Sequence, residues 1–166
     1  MLPATIAPRA APSAVATLQE LFADSIADIL HELLLSAEAT GAGHVVVSVI
    51  GPSGDRLLQI TDDGQGIAEP ATVFAHHLPA FGIFSLAGRD VIIRSWSRAV
   101  HQGWCAHVTA AAWSGQRPIA ISPDPISRGS SITFRLPPVD VATLAAALRE
   151  VAGLTGVTVA FNAGAI

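Results

Sequence analysis

An apolar run that ends in two acids and two closely spaced glycines constrains this chain more than any other stretch. Residues 57–60 (LLQI) lead through Thr61 into residues 62–66 (DDGQG). The pattern predicts a buried strand that stops where the backbone must bend tightly and approach another group closely. At such a strand end the carboxylate of Asp62 can accept a hydrogen bond from a ligand, although the same sequence also fits an ordinary turn.

The composition fits one domain with a substantial core and excludes several classes of protein. The 166 residues are 51% hydrophobic and 13% charged, which predicts either a heavily buried helix face or a surface for a partner. No stretch reaches the roughly 18 uninterrupted apolar residues of a membrane span. A net charge of −4, with nine arginines and no lysine, argues against a nucleic-acid-binding surface and excludes a lysine P-loop. The single cysteine, Cys105, fits core packing better than a reactive role.

The N-terminal residues differ in character from the rest of the chain. Residues 1–12 contain three prolines and lack the continuous apolar core of a signal peptide. We therefore expect residues 1–12 to be a flexible arm, residues 13–166 to be a single domain, and the protein to be cytoplasmic.

Hydrophobic periodicity predicts an α+β fold. Ser25 and Asp28 fit the start of a helix with one broad apolar face, which Gly41 ends. A similar capping box at residues 17–20 predicts a short preceding helix. The closely spaced strands 44–50 and 56–61 favour an antiparallel hairpin. The other predicted elements are helices at 81–88 and 139–151 and strands at 90–97, 104–113, 119–122, 131–136 and 157–161. This order predicts a two-layer α/β sandwich.

Four groups of residues have the chemistry of a ligand site, and each also has a purely structural explanation. Glu32 and Ser36 lie one helical turn apart, either on a solvated face or where they activate a water and hold hydrated magnesium. Asp62 is either a turn residue or the acceptor for a ligand amino group. Gly82 either ends a helix or opens one whose N–H groups receive phosphate. Ser130 belongs either to a turn or to a pocket wall.

The order of these groups resembles the GHKL ATPase superfamily, most closely the branch of the MutL mismatch-repair proteins and the ninety-kilodalton heat-shock chaperones. Residues 32–42 (ELLLSAEATGA) are similar to the E-L-x-x-N-x-x-D-A-x-A box of that branch, and residues 62–67 (DDGQGI) to its D-N-G-x-G-I box. Residues 81–82 (FG) resemble the glycine before its phosphate-facing helix, and residues 129–132 (GSSI) its G-T-x-I box. The resemblance covers roughly residues 25–161. It implies a Bergerat-like fold, a mixed and mostly antiparallel sheet with helices on one face.

The resemblance also implies roles for individual residues, with ATP and Mg²⁺ as cofactors. Glu32 would be the general base for water attack on the γ-phosphate. Asp62 would accept a hydrogen bond from the adenine amino group, with Ser130 assisting at the base through water. Ser36 would be the metal ligand.

The glycines of the motifs have implied roles of their own. Gly64 and Gly66 would let the backbone pass close to the nucleotide and hinge a lid. Gly82 would let the amides that follow it meet the phosphates.

The sequence departs from the pattern of this branch at the metal and phosphate end. Ser36 stands where the branch has the magnesium-binding asparagine, and Ala39 stands where it has an aspartate, for which Glu38 could compensate. Phe84 occupies the second glycine position of the chaperone phosphate loop. Residues 76–77 (HH) fit polar lid positions, with a metal pair as an alternative.

The resemblance leaves three interpretations of function. The first is an ATP-binding domain with slow, magnesium-dependent hydrolysis, coupled to conformational change through homodimerisation or an attached downstream domain of a longer protein. The second is a degenerate GHKL fold that serves as a protein-interaction module without hydrolysis. The third is an ATP domain of the histidine-kinase type.

Overall fold

The computed structural model describes residues 4–7, 12–74 and 82–163. These residues form four α-helices, two short 3₁₀ helices and one eight-stranded sheet. The helices are α1 (Pro12–Leu21), α2 (Ile26–Ala39), α3 (Ala110–Trp113) and α4 (Val141–Ala152), with 3₁₀ helices at Pro70–Phe74 and Gly82–Leu86. The strands are β1 (Ala4–Ile6), β2 (His44–Ile50), β3 (Leu57–Asp62), β4 (Val91–Ser97), β5 (Gln102–Val108), β6 (Ile119–Pro123), β7 (Ser130–Arg135) and β8 (Thr158–Ala163).

The sheet is mixed and mostly antiparallel, in the order β1-β6-β5-β4-β7-β3-β2-β8. Each neighbouring pair is antiparallel except β2 and β8, which run parallel. The predicted hairpin is confirmed as the β2–β3 pair, which aligns Val45 with Asp62. Since β7 returns between β3 and β4, the two halves of the sheet meet at strands that are far apart in sequence.

The helices cover one face of this sheet. The buried side chains of α2 and α4 belong to the same core cluster as alternate residues of the strands. On the opposite face, Val46 and Ile92 keep more than a third of their surface exposed. This arrangement confirms the predicted two-layer α+β sandwich.

Capping explains where the two long helices begin. The Ser25 hydroxyl accepts a hydrogen bond from the Asp28 N–H at 3.2 Å, as predicted. The Asp140 carboxylate does the same for the Thr143 N–H at 2.7 Å. Caps of this kind are worth about 1 kcal/mol each, and they fix the first turn of each helix.

The N-terminal segment takes part in the sheet where the structure describes it. Residues 4–6 form strand β1, which pairs with β6 and aligns Ile6 with Ile119. Ile6 also packs against the core, so both backbone pairing and apolar burial hold this segment to the sheet.

Two local predictions were wrong. The capping box at Thr17 does not open a helix, because α1 already begins at Pro12, and the Thr17 hydroxyl donates to the Ser13 carbonyl. The strand predicted to reach residue 113 ends at Val108. Thr109 then caps the short helix α3, whose three alanines favour helix over strand.

No helix in residues 12–74 or 82–163 has the length and apolar character that crossing a membrane requires.

Candidate functional site

Helix α2 forms one wall of a cavity between the helical layer and the sheet. The lining residues of α2 and its C-cap Thr40 are three or four positions apart, hence on one helix face: Leu33, Ser36, Ala37 and Thr40. Glu32 is half-buried one turn before Ser36, but it is not part of the cavity wall that the described residues form.

The polar end of the opposite wall is a single row across three strands. Asp62 of β3 pairs with Ser130 of β7, which in turn pairs with Ser95 of β4. Asp62 and Ser130 line the cavity. The sheet order therefore brings together two predicted site residues that are 68 positions apart in sequence.

Two residues further along the same three strands, the next row on this face of the sheet is apolar and forms the floor of the cavity. Ile60 pairs with Ile132, and Ile132 pairs with Ile93. The cavity has a volume of about 260 Å³. Small-molecule pockets span roughly 300–1,000 Å³, so this volume suits a base or nucleoside better than a whole nucleoside triphosphate.

Several lining residues were not predicted from the sequence. They come from the segment after Ile67 and from the second 3₁₀ helix: Thr72, Val73 and Ile83. The segment around Thr72 has no clear periodicity, and so its place at the cavity gave no sequence signal.

Burial sets the electrostatics of Asp62. It raises the pKa of the Asp62 carboxyl above its usual value, and the nearby Asp63 adds to the effect. The backbone N–H groups of Gly64 and Ser130 lower that pKa in part, and the Gly64 N–H lies 2.8 Å from Oδ1. Asp62 is thus a partly desolvated acceptor at the polar end of an otherwise largely apolar cavity.

Ser130 is held from behind by a second buried serine. The Ser130 and Ser95 hydroxyl oxygens are 2.8 Å apart, and Ser95 Oγ also accepts the Ile67 N–H at 2.9 Å. Ser95 is completely buried and does not line the cavity. Its inward position follows from strand alternation, because Ile93 on the same strand also points into the core. That alternation was the available sequence signal.

The two predicted glycines approach protein groups closely. A Cβ at Gly64 would lie 2.8 Å from the Thr40 hydroxyl and 3.0 Å from Asp62 Oδ1. Gly66 has a φ of +68°, and a Cβ there would overlap the Trp96 carbonyl oxygen. Neither glycine is among the residues found to line the cavity, and their roles in nucleotide contact and lid hinging stay predictions.

The second acid of the motif has a structural role. Asp63 Oδ1 accepts the backbone N–H groups of Gly43 and His44 at 2.8 and 2.9 Å. These bonds and the His44 side chain lower the pKa of Asp63 to about 2. Asp63 therefore stays ionised at physiological pH and ties the end of β3 to the start of β2.

The end of the cavity that is predicted to face phosphate and metal contains Gly82 and Ser36. Gly82 packs near Ser36, where a Cβ on the glycine would lie 3.3 Å from the serine hydroxyl. Glu38 does not compensate for Ala39 at the cavity, since its carboxylate accepts the Gly156 N–H at 3.1 Å.

The described residues do not form a complete magnesium site by themselves, and the role of Ser36 as a metal ligand stays a prediction. Apart from Asp62 at the opposite end, they place no carboxylate or side-chain amide in the cavity wall. They also contain no group of three or more His, Cys, Asp or Glu side chains that could hold a metal. Residues 76–77 and Phe81, which the sequence also offers as site candidates, lie outside the described residues.

Comparison with known proteins identifies the fold. No protein-family model and no curated protein sequence matches the chain. Among solved structures, the chain is similar to the MutL ATPase domain of Aquifex aeolicus in complex with ADP, with a TM-score of 0.59 and 16% identity. The match covers 84% of this chain and 60% of that one, so this chain spans less than two thirds of the length of its neighbour. At this identity the likeness is one of fold: this chain shares its fold with that MutL ATPase domain.

Proposed function

We propose that this chain is an ATP-binding domain of the GHKL type, with the adenine base in the cavity. The observation that carries the proposal is the polar row in which Asp62 and Ser130 lie side by side above the isoleucine floor. A carboxylate beside a hydroxyl offers an acceptor and a donor to the amino group and ring nitrogen of adenine. The neighbouring fold in its complex with ADP supports the same ligand class.

The apolar part of the cavity suits the faces of a purine. Ile60, Ile93 and Ile132 lie beneath the polar row, and Phe84 lines the same space. A base held there removes apolar surface from water while its polar edge meets Asp62. Guanine would place a carbonyl oxygen against that carboxylate, and so we expect the site to reject it.

Titration calorimetry of the purified chain tests nucleotide binding. We expect ATP, ADP and adenosine to bind and GTP to bind at least tenfold more weakly, because GTP pairs two acceptors at Asp62. ATP at about 100 times its Kd should raise the free energy of unfolding by about 2.7 kcal/mol, visible as a thermal shift. If no adenine ligand gives a heat of binding or a thermal shift, the proposal is contradicted.

Hydrolysis is a separate and narrower proposal, in which Glu32 acts as the general base. It rests on the place of Glu32 on α2, one turn before the cavity residue Ser36. Because the described residues lack a magnesium donor set, we assign no step to the metal.

Glu32→Ala should lower the ATP turnover rate by about 10²- to 10⁴-fold, the usual contribution of a general base, and leave ADP affinity within about twofold. Phosphate release and calorimetry measure the two quantities. Glu38→Ala is the matched control, because Glu38 lies on the same helix but bonds to Gly156. Turnover that survives Glu32→Ala would show that another group activates the water.

A second candidate function is a protein-interaction module that retains the fold without hydrolysis. The departures from the motif at Ser36 and Ala39 favour it. Homodimerisation or an attached downstream domain belongs to either proposal. Adenine binding separates the two candidates, since the interaction module needs none.

A further inference from the structure

Ser95 shares a hydrogen-bonded row with two proposed base-contacting residues but is itself sealed off from the cavity. Its hydroxyl lies in the core at 0% exposure and has two partners among the described residues, the Ile67 N–H and Ser130 Oγ. Serine hydroxyls carry one proton and two acceptor lone pairs. The Ile67 N–H occupies one lone pair, which leaves the proton and one lone pair of Ser95 for its contact with Ser130.

The two possible directions of the Ser95–Ser130 bond are not equivalent. If Ser130 donated, Ser95 would accept twice and its own proton would be buried without an acceptor. Buried polar hydrogens without partners are rare in folded proteins because nothing replaces their bond to water. If Ser95 donates, every polar atom of Ser95 is satisfied. The proton of Ser130 is then free to point into the cavity, which Ser130 lines.

We infer that Ser95 is a positioning residue that makes Ser130 a hydrogen-bond donor toward the ligand. This inference rests on the proposed adenine site and adds to it the direction of the hydrogen bond between Ser130 and the ligand. Asp62 presents an acceptor, and Ser130 beside it presents a donor. The pair is thus complementary to a ligand with an amino group next to an unprotonated ring nitrogen, reached directly or through one water. The same Ser95 oxygen holds the Ile67 N–H, so one buried residue fixes both the base contact and the start of the next segment.

Adenosine and 1-deazaadenosine, in which the N1 acceptor is replaced by C–H, distinguish a donating Ser130 from one that accepts. We expect the wild-type chain to bind adenosine about three- to tenfold more tightly than the deaza analogue, the equivalent of one net hydrogen bond. In Ser95→Ala the Ser130 hydroxyl can rotate, and this ratio should fall toward one. Titration calorimetry gives both affinities for each protein.

Ser97→Ala is the matched control. Ser97 is a buried serine on the same strand and inner face, and its hydroxyl accepts the Val100 N–H at 3.4 Å. The Ser97→Ala chain should keep the wild-type ratio even if its melting temperature falls as much as that of Ser95→Ala. A wild-type ratio near one, or an unchanged ratio in Ser95→Ala, would overturn the inference while leaving adenine binding intact. If the wild-type chain binds neither nucleoside, the proposed function itself is overturned.

The direction of the Ser95–Ser130 hydrogen bond can also be observed in the wild-type chain without a ligand. NMR of the slowly exchanging hydroxyl protons in the free chain should place a proton on Ser95 Oγ, directed at Ser130. A proton on Ser130 directed at Ser95 would overturn the inference whatever the chain binds.

Discussion

Asp62→Ala is expected to weaken ATP and adenosine binding by about 10- to 100-fold. The substitution removes the acceptor that the proposed site offers to the adenine amino group, and hydrogen bonds to charged groups are worth about 1.5–3 kcal/mol. The loss should be similar for adenosine and ATP, because Asp62 lies at the base end of the cavity in the proposed pose. Calorimetric titration of both ligands measures it.

Asp63→Asn is the control for this result. Asp63 is adjacent in sequence, but it does not line the cavity, and an asparagine oxygen can still accept the Gly43 and His44 N–H groups. We expect its ATP affinity to stay within about twofold of wild type. Equal losses in the two variants would mean that the loop conformation, and not the Asp62 carboxylate, is responsible.

Asp62→Asn separates the effect on binding from any effect on folding. Because folding raises the pKa of Asp62, the folded state holds that proton more tightly than the unfolded state. The contribution of Asp62 protonation to the free energy of unfolding is therefore present at low pH and is lost as the pH rises through the folded-state pKa. At neutral pH the asparagine variant should unfold at the same or a higher temperature than wild type while binding ATP more weakly. The stability difference should shift in favour of wild type as the pH falls toward 4.

The elements with strong local patterns were predictable from the sequence. The helical period of α2 identified Leu30, Leu33 and Leu34 as core residues, and all three are buried. Capping by Ser25 and the short connection between β2 and β3 are also local features. Resemblance of short motifs, rather than periodicity, gave the expectation that Asp62 and Ser130 share a site.

The strand order and the contacts around the site could not be predicted, because they depend on contacts between distant parts of the chain. The strand order that places β7 between β3 and β4 determines which side chains share a row, and alternation within a strand does not reveal it. Ser95 was missed for this reason, since its significance comes from its pairing with Ser130, 35 positions later. Glu38 next to Ala39 looked like a substitute acid, but its bond to Gly156 could only be seen once α2 and the end of α4 were packed together.

Gly66→Ala is expected to destabilise the fold more than any other single change to the glycine motif. A Cβ there would overlap the Trp96 carbonyl oxygen, a backbone atom of β4 that cannot move away alone. Trp96 is held in the sheet, since its N–H donates to the Gly129 carbonyl at 2.9 Å. We expect a loss of about 4 kcal/mol or more, which for a domain of this size lowers the melting temperature by roughly 8–16 °C.

Gly115→Ala isolates the contribution of the clash in that experiment. Gly115 has a similar φ of +75°, but a Cβ there meets nothing within 4 Å. The Gly115→Ala change should lower the free energy of unfolding only by the cost of a left-handed backbone, about 1–2 kcal/mol. The difference between the two melting temperatures therefore measures the overlap with β4.

Because the next residue, Ile67, donates its N–H to Ser95, a displaced Gly66 also disturbs the polar row that Ser95 supports. The Gly66 variant should therefore bind adenosine more weakly even at temperatures where it is still folded, whereas the Gly115 variant should bind it normally. Equal melting temperatures for the two variants would mean that the loop relieves the overlap at no cost, and that Gly66 is needed only for its backbone conformation.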